Sequence, residues 1–135
     1  MTRGLILTLL MTAGFVGIAA WPADAHHSFA ATYREGQTVT IEGDVVQVLL
    51  RNPHSFVEVQ VKQPNGSRVR YIAEWQAADR LDRQGVTMHT LQPGDHVVIE
   101  GAPSRDTAGH RILMTGLYRP RDRFSWGEQP GQAIN

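Results

Sequence analysis

Val57, Val59 and Val61 alternate with Glu58, Gln60 and Lys62, and the segment Pro64-Asn65-Gly66-Ser67 follows directly. Alternation of apolar and polar residues puts the two sets on opposite faces of an extended chain. Asn-Gly supplies the backbone conformations of a tight hairpin turn. The stretch therefore predicts an antiparallel hairpin with one apolar face, and the remaining segments must be arranged around it.

On its N-terminal side, Thr38 to Arg51 reads as a first strand. Val39 and Ile41 share one face, and after Gly43-Asp44 the apolar parity moves to Val46, Val48 and Leu50. A one-residue slip beside a glycine predicts a β-bulge that bends a long strand. Asn52-Pro53 then interrupts pairing, because proline has no N–H to give to a ladder. On the C-terminal side, Arg68 to Trp75 forms the hairpin's second arm, with Val69, Tyr71, Ala73 and Trp75 opposite Arg70, Ile72 and Glu74.

Gln76 to Gln84 predicts a short helix ended by Gly85, with Leu81 and either Ala77 or Ala78 buried. Val86 to Leu91 is irregular or a single turn, and Pro93-Gly94-Asp95 is a turn. His96 to Ala102 is expected as a fourth strand and Ser104 to Gly109 as a polar loop. His110 to Tyr118 is expected as a fifth strand, with Leu113 and Leu117 or Ile112 and Met114 inward. Ser28 to Gln37, anchored by Phe29 and Tyr33, is expected as an extended arm. Three strands, a helix and two strands is the order of an OB-like five-stranded antiparallel barrel. A small antiparallel sandwich is the competing architecture.

Arg3 precedes an apolar run from Leu5 to Ala20, which Trp21-Pro22 breaks. Ala23-Asp24-Ala25 fits a signal-peptidase cut after Ala25. The run is shorter than the ~20 residues that span a bilayer. Residues 1–25 are thus expected as a signal peptide, 26–118 as the barrel domain and 119–135 as a polar, weakly ordered tail. The mature protein is expected to be periplasmic or secreted, with no stable membrane span after cleavage. A retained leader is the alternative. The chain has 13 basic and 13 acidic residues, and the cut removes one of each, Arg3 and Asp24. A neutral chain argues against a nucleic-acid partner. There is no cysteine, so a metal would have to be held by nitrogen and oxygen.

The start His26-His27-Ser28-Phe29 and the loop Asn52-Pro53-His54, together with Pro93-Gly94-Asp95, resemble an uncharacterised exported bacterial family, domain-of-unknown-function family 6152. The resemblance runs from His26 to about Leu117. Glu74 and the helix with Gly85 also fall where that family has an acidic residue and a glycine. Leu50 and Arg51 stand where the family tends to have an aromatic. The resemblance implies export and an OB-like barrel, and it brings no established reaction.

A chain that begins at His26 carries an α-amine and an imidazole on one residue, which can close a chelate ring on a borderline metal ion. His27 adds an imidazole, and His54 follows the rigid Asn52-Pro53 turn. Parity puts His54 on the face away from Val57 and Val59. Glu74 lies on the polar face of its strand, as a ligand or base, or simply solvating the sheet. The expected metal site is therefore His26 as bidentate ligand, His54 opposite it, and His27 or Glu74 as auxiliary, with copper ahead of zinc. The bland alternative is a floppy end and a loop-capping His54. His96 and His110 read as solvated. There is no nucleophile elbow, no Cys-His pair, no phosphate-binding glycine loop and no His-Glu-x-x-His helix, so an enzyme is the less favoured reading. The rival to a metal-binding protein is a metal-free interaction module whose barrel face binds a protein or glycan partner.

Overall fold

The computed structural model describes residues 26–128. The expected signal peptide and its cut lie outside the described residues, as do residues 129–135 and the side chains of His26, His27 and Ser28. The elements run α1 (His26–Thr32), β1 (Val39–Leu49), β2 (Ser55–Lys62), β3 (Arg68–Trp75), α2 (Ala78–Arg83), β4 (His96–Pro103), β5 (Arg111–Arg119) and β6 (Phe124–Gly127), with a single 3₁₀ turn at Thr107–Gly109. No helix among the described residues is long and apolar enough to cross a membrane.

The sheet order is β3-β2-β1-β4-β5-β6, and β5 also pairs with β3. That pairing closes the first five strands into the expected OB-like barrel. It is parallel, with Ile72 opposite Arg111 and Glu74 opposite Leu113. The expectation of an entirely antiparallel barrel is corrected here for a geometric reason. Five strands in a closed ring cannot all alternate in direction, so one neighbouring pair must run the same way.

The hairpin read first in the sequence is β2–β3, in register from Ser55 with Trp75 to Lys62 with Arg68. Its inward residues Val57, Val59, Ala73 and Trp75 meet Val97, Ile99, Ile112 and Leu117 in one core, with Leu81 of α2 closing an end. α2 stops where expected, because Gly85 takes a φ of 81° and the Val86 N–H returns to the Leu81 carbonyl.

The bulge in β1 lies at Val46, between the pairs Val45–Val59 and Gln47–Glu58, and not at Gly43. Gly43 keeps the inward parity of Ile41 and Val45. It is needed for close approach, since a Cβ there would lie 2.3 Å from the Gln60 carbonyl oxygen. In β5 the inward set is Ile112 and Met114, joined by Leu117 but not by Leu113. Glu100 pairs with Gly116 and Gly101 with Met114, leaving Thr115 extra. Ile112 and Met114 point in before that slip and Leu117 after it.

Two expectations at the ends are corrected. The segment from Ser28 is not an extended arm: its first residues belong to α1. Helix α1 is held from outside, because the Arg105 N–H bonds the Thr32 carbonyl at 2.9 Å and Arg105 Nε bonds the Ala30 carbonyl at 2.9 Å. The segment from Arg119 is not uniformly a loose tail. Arg119 ends β5, and β6 pairs back on it, with Leu117 opposite Trp126 and Arg119 opposite Phe124. Arg119 is buried between Asp95, at 2.6 Å, and Asp122, at 2.8 Å, which ties the turn before β6 to the barrel.

Candidate functional site

The Asn52-Pro53-His54 loop is held by α2 and by Ser55. The Asn52–Pro53 peptide is cis. The Ala78 N–H bonds the Arg51 carbonyl at 3.1 Å, and Asn52 Oδ1 accepts from the Asp79 N–H at 3.2 Å, so the start of α2 grips the loop. Ser55, fully buried, accepts from the Arg51 N–H and donates to the Arg51 carbonyl, both at 3.2 Å. These bonds hold the backbone so that the imidazole of His54 stands off the outer face of the barrel, half-buried, with the core behind it.

Glu74 has the outward parity read from the sequence, yet it is only 8% exposed. The solvated-sheet reading of Glu74 is therefore corrected. Its cover comes from α1 and the residues after it. Tyr33, 1% exposed, donates its hydroxyl to Glu74 Oε2 in a short hydrogen bond. Arg111 places a guanidinium nitrogen 3.4 Å from the same oxygen. The other oxygen, Oε1, lies 3.2 Å from His54 Nδ1. Phe29 of α1 meets the His54 ring edge-on, with centroids 5.2 Å apart.

The electrostatics follow from this packing. Burial, reinforced by the hydrogen bond and the charge of Glu74, raises the pKa of Tyr33 well above the ordinary phenol value. The hydroxyl therefore stays protonated as a donor. Both carboxylate oxygens of Glu74 are engaged. His54 turns Nδ1 toward Glu74, at an ion-pair distance, and Nε2 is the ring's other nitrogen. A ring held this way is the arrangement found behind metal-bound histidines, where a carboxylate fixes tautomer and orientation.

Of the residues expected at the site, His54 and Glu74 are brought together. Position 26 starts α1 one turn before Phe29, on the helix that covers them. The side chains of His26 and His27 lie outside the described residues. Among the described residues, no group of three or more histidine, cysteine or acidic side chains is placed to hold a metal. Sequence reasoning named Phe29 and Tyr33 only as anchors of an extended arm, not at the site, and missed Arg111. The spacing of Phe29 and Tyr33, four apart, was the available signal, since such pairs share a helix face.

The other histidines are elsewhere. His96 is not merely solvated: its ring bridges Asp44 at 2.8 Å and Glu42 at 3.0 Å across β1 and β4. His110 is exposed, has a φ of 43° and packs its ring 5.1 Å from Tyr71. His89 is exposed.

Comparison with known proteins adds one match. A family model, described as a family of unknown function, DUF6152, matches residues 15–113. No curated protein matches the chain.

Proposed function

The chain belongs to the DUF6152 family of unknown function, and on that premise we propose that it is an exported small binding protein that holds a metal ion, copper ahead of zinc, between its mature N-terminus and His54. The observation that carries the reading is the orientation of His54. Its Nδ1 lies 3.2 Å from the buried Glu74, and its ring meets Phe29 of the helix that begins at His26.

Cleavage after Ala25 would give His26 a free amine. His26 then acts as a bidentate nitrogen ligand, His54 Nε2 as the opposing ligand and His27 as the auxiliary. Glu74 moves from auxiliary ligand to support, because Tyr33 and Arg111 take the oxygen that His54 leaves. Three nitrogen donors suit copper(II) and then zinc, and the chain has no thiolate to compete.

A metal-free interaction module stays as the rival, favoured by the exposed apolar side chains Leu49 and Met88, 41% and 71% exposed. Calorimetric titration of the processed protein with copper(II) separates the two. The comparison is a protein extended by Ser-Pro-Gly-Ser before His26, which takes the amine away from both terminal imidazoles, with a proline that denies copper an amide nitrogen beside the new amine, and leaves the barrel untouched. The metal reading expects one ion per chain and at least a tenfold weaker affinity for the extended protein. Equal affinities would exclude the terminal amine, and no binding by either would leave the interaction module.

A further inference from the structure

Beside the His54–Glu74 pair, a groove of about 280 Å³ opens on the outer face of the barrel. Its floor is apolar: Leu49, Phe56 and Ile72. Two guanidinium groups stand against one ring, with Arg51 Cζ 4.9 Å and Arg111 Cζ 5.9 Å from the centroid of Phe56. Register explains the cluster. Leu49 pairs with Phe56 across β1 and β2, and Ile72 pairs with Arg111 across the parallel closure of β3 and β5. The groove therefore exists only because the barrel closes.

We infer that this groove binds a small carboxylate with a flat apolar body, such as an aromatic acid. The carboxylate is met by Arg51 and Arg111, and the body lies over Phe56 between Leu49 and Ile72. The charge inventory supports an anion. Glu58, the one acid lining the groove, is held by Arg70 at 3.1 Å. Glu74, behind Arg111, is shared with Tyr33 and His54. Arg51 uses only Nε, on the His54 carbonyl at 3.3 Å, and no acid pairs with it among the described residues. Arg111, its side chain 41% exposed, has one terminal nitrogen 3.4 Å from Glu74, which leaves the other for the groove, while its Nε is enclosed. Planar forks of this kind bind carboxylates through two parallel N–H bonds. The apolar floor selects an organic acid over a bare inorganic anion, and the volume admits one or two rings.

The inference does not require the metal. Its test uses the processed full-length protein in a chelating buffer, so failure here is separate from failure of the metal reading. 1-Naphthoate is titrated by calorimetry, with naphthalene-1-carboxamide as the neutral analogue of the same shape and inorganic phosphate as the bare anion. The expected result is saturable binding of 1-naphthoate at one site, at least tenfold weaker carboxamide binding, and no displacement by equimolar phosphate. Arg51→Gln, at an exposed position, should weaken 1-naphthoate at least tenfold, and Arg51→Lys should recover only part of that loss. Phe56→Leu should weaken acid and amide alike. Equal binding of acid and amide, unchanged binding by Arg51→Gln in a protein of unchanged circular dichroism, or no binding to the parent protein would each overturn the inference.

Discussion

His54 Nδ1 lies 3.2 Å from Glu74 Oε1, joining a loop between β1 and β2 to a buried carboxylate on β3. Glu74 also receives the Tyr33 hydroxyl and the Arg111 guanidinium, so three separate segments converge on one side chain. Removing it leaves enclosed donors without an acceptor. Glu74→Ala should cost about 2–3 kcal/mol, a fall in Tm of roughly 10–20 °C for a domain of this size. Glu74→Gln should cost less, because an amide oxygen still accepts from Tyr33. Thermal melting of both variants checks this; equal stability of Glu74→Ala and the parent would show that the convergence contributes nothing.

Asp95 and Arg119 form the second enclosed pair, 2.6 Å apart and 4% and 7% exposed. Burial alone would raise the Asp95 carboxyl, but the Gln92 N–H and the Arg119 and Arg121 guanidiniums outweigh it and hold the pKa below the ordinary value. A lowered folded pKa means stability that is present above the unfolded value, near 3.9, and lost as pH falls through the folded one. Arg119→Met should cost about 3 kcal/mol at neutral pH by taking the enclosed partner from buried Asp95 and leaving it only the exposed Arg121, 3.0 Å from Oδ1. Adding Asp95→Asn should recover part of that loss, measured by urea unfolding. Additive losses in the double variant would contradict the pairing.

His96 predicts the opposite pH limb. Hydrogen bonds to Glu42 and then Asp44 raise its pKa above the ordinary imidazole value. The contribution is therefore fully present below about pH 6.5 and fades as pH rises through the folded value. Its side chain is 51% exposed, which limits the effect to under about 1 kcal/mol. The Tm difference between the parent and His96→Gln should be largest near pH 5.5 and shrink by pH 8.5. A difference that does not change over that range would show that the charge on His96 is not involved.

Gly43 tests the barrel wall. A Cβ at that position meets the Gln60 carbonyl oxygen at 2.3 Å, and backbone cannot rotate away as a side chain can. Gly43→Ala should cost about 2–3 kcal/mol as β1 and β2 part. Gly36, which has nothing within 4 Å of its Cβ position, is the control, and Gly36→Ala should leave the melting midpoint nearly unchanged.

The strands were legible because their periods are local. Val57, Val59 and Val61 state their face without reference to anything distant, and the strand order then implied the barrel. The bulge was misplaced because Gly43 and Val46 are neighbours, and only the approach of Gln60 tells a close-packing glycine from a bulge. α1 was missed because seven residues carry too little periodicity, and its support, Arg105, lies far along the chain. The burial of Glu74 was illegible for the same reason: its cover, Tyr33, is 41 positions away. In strand β6 Phe124 and Trp126 alternate with Ser125 and Gly127, but four residues are too short a period to read, and its pairing with β5 defines it. His54 was readable as outward-facing, but the carboxylate behind it was not.

Continuous-wave EPR of the copper(II)-loaded, processed protein asks whether His54 and the processed N-terminus share one metal ion. A shared ion predicts one copper per chain in a nitrogen-rich signal that changes in His54→Ala, with affinity at least tenfold lower, while the exposed-loop variant His89→Ala matches the parent. An identical signal and affinity in the parent and His54→Ala would contradict it.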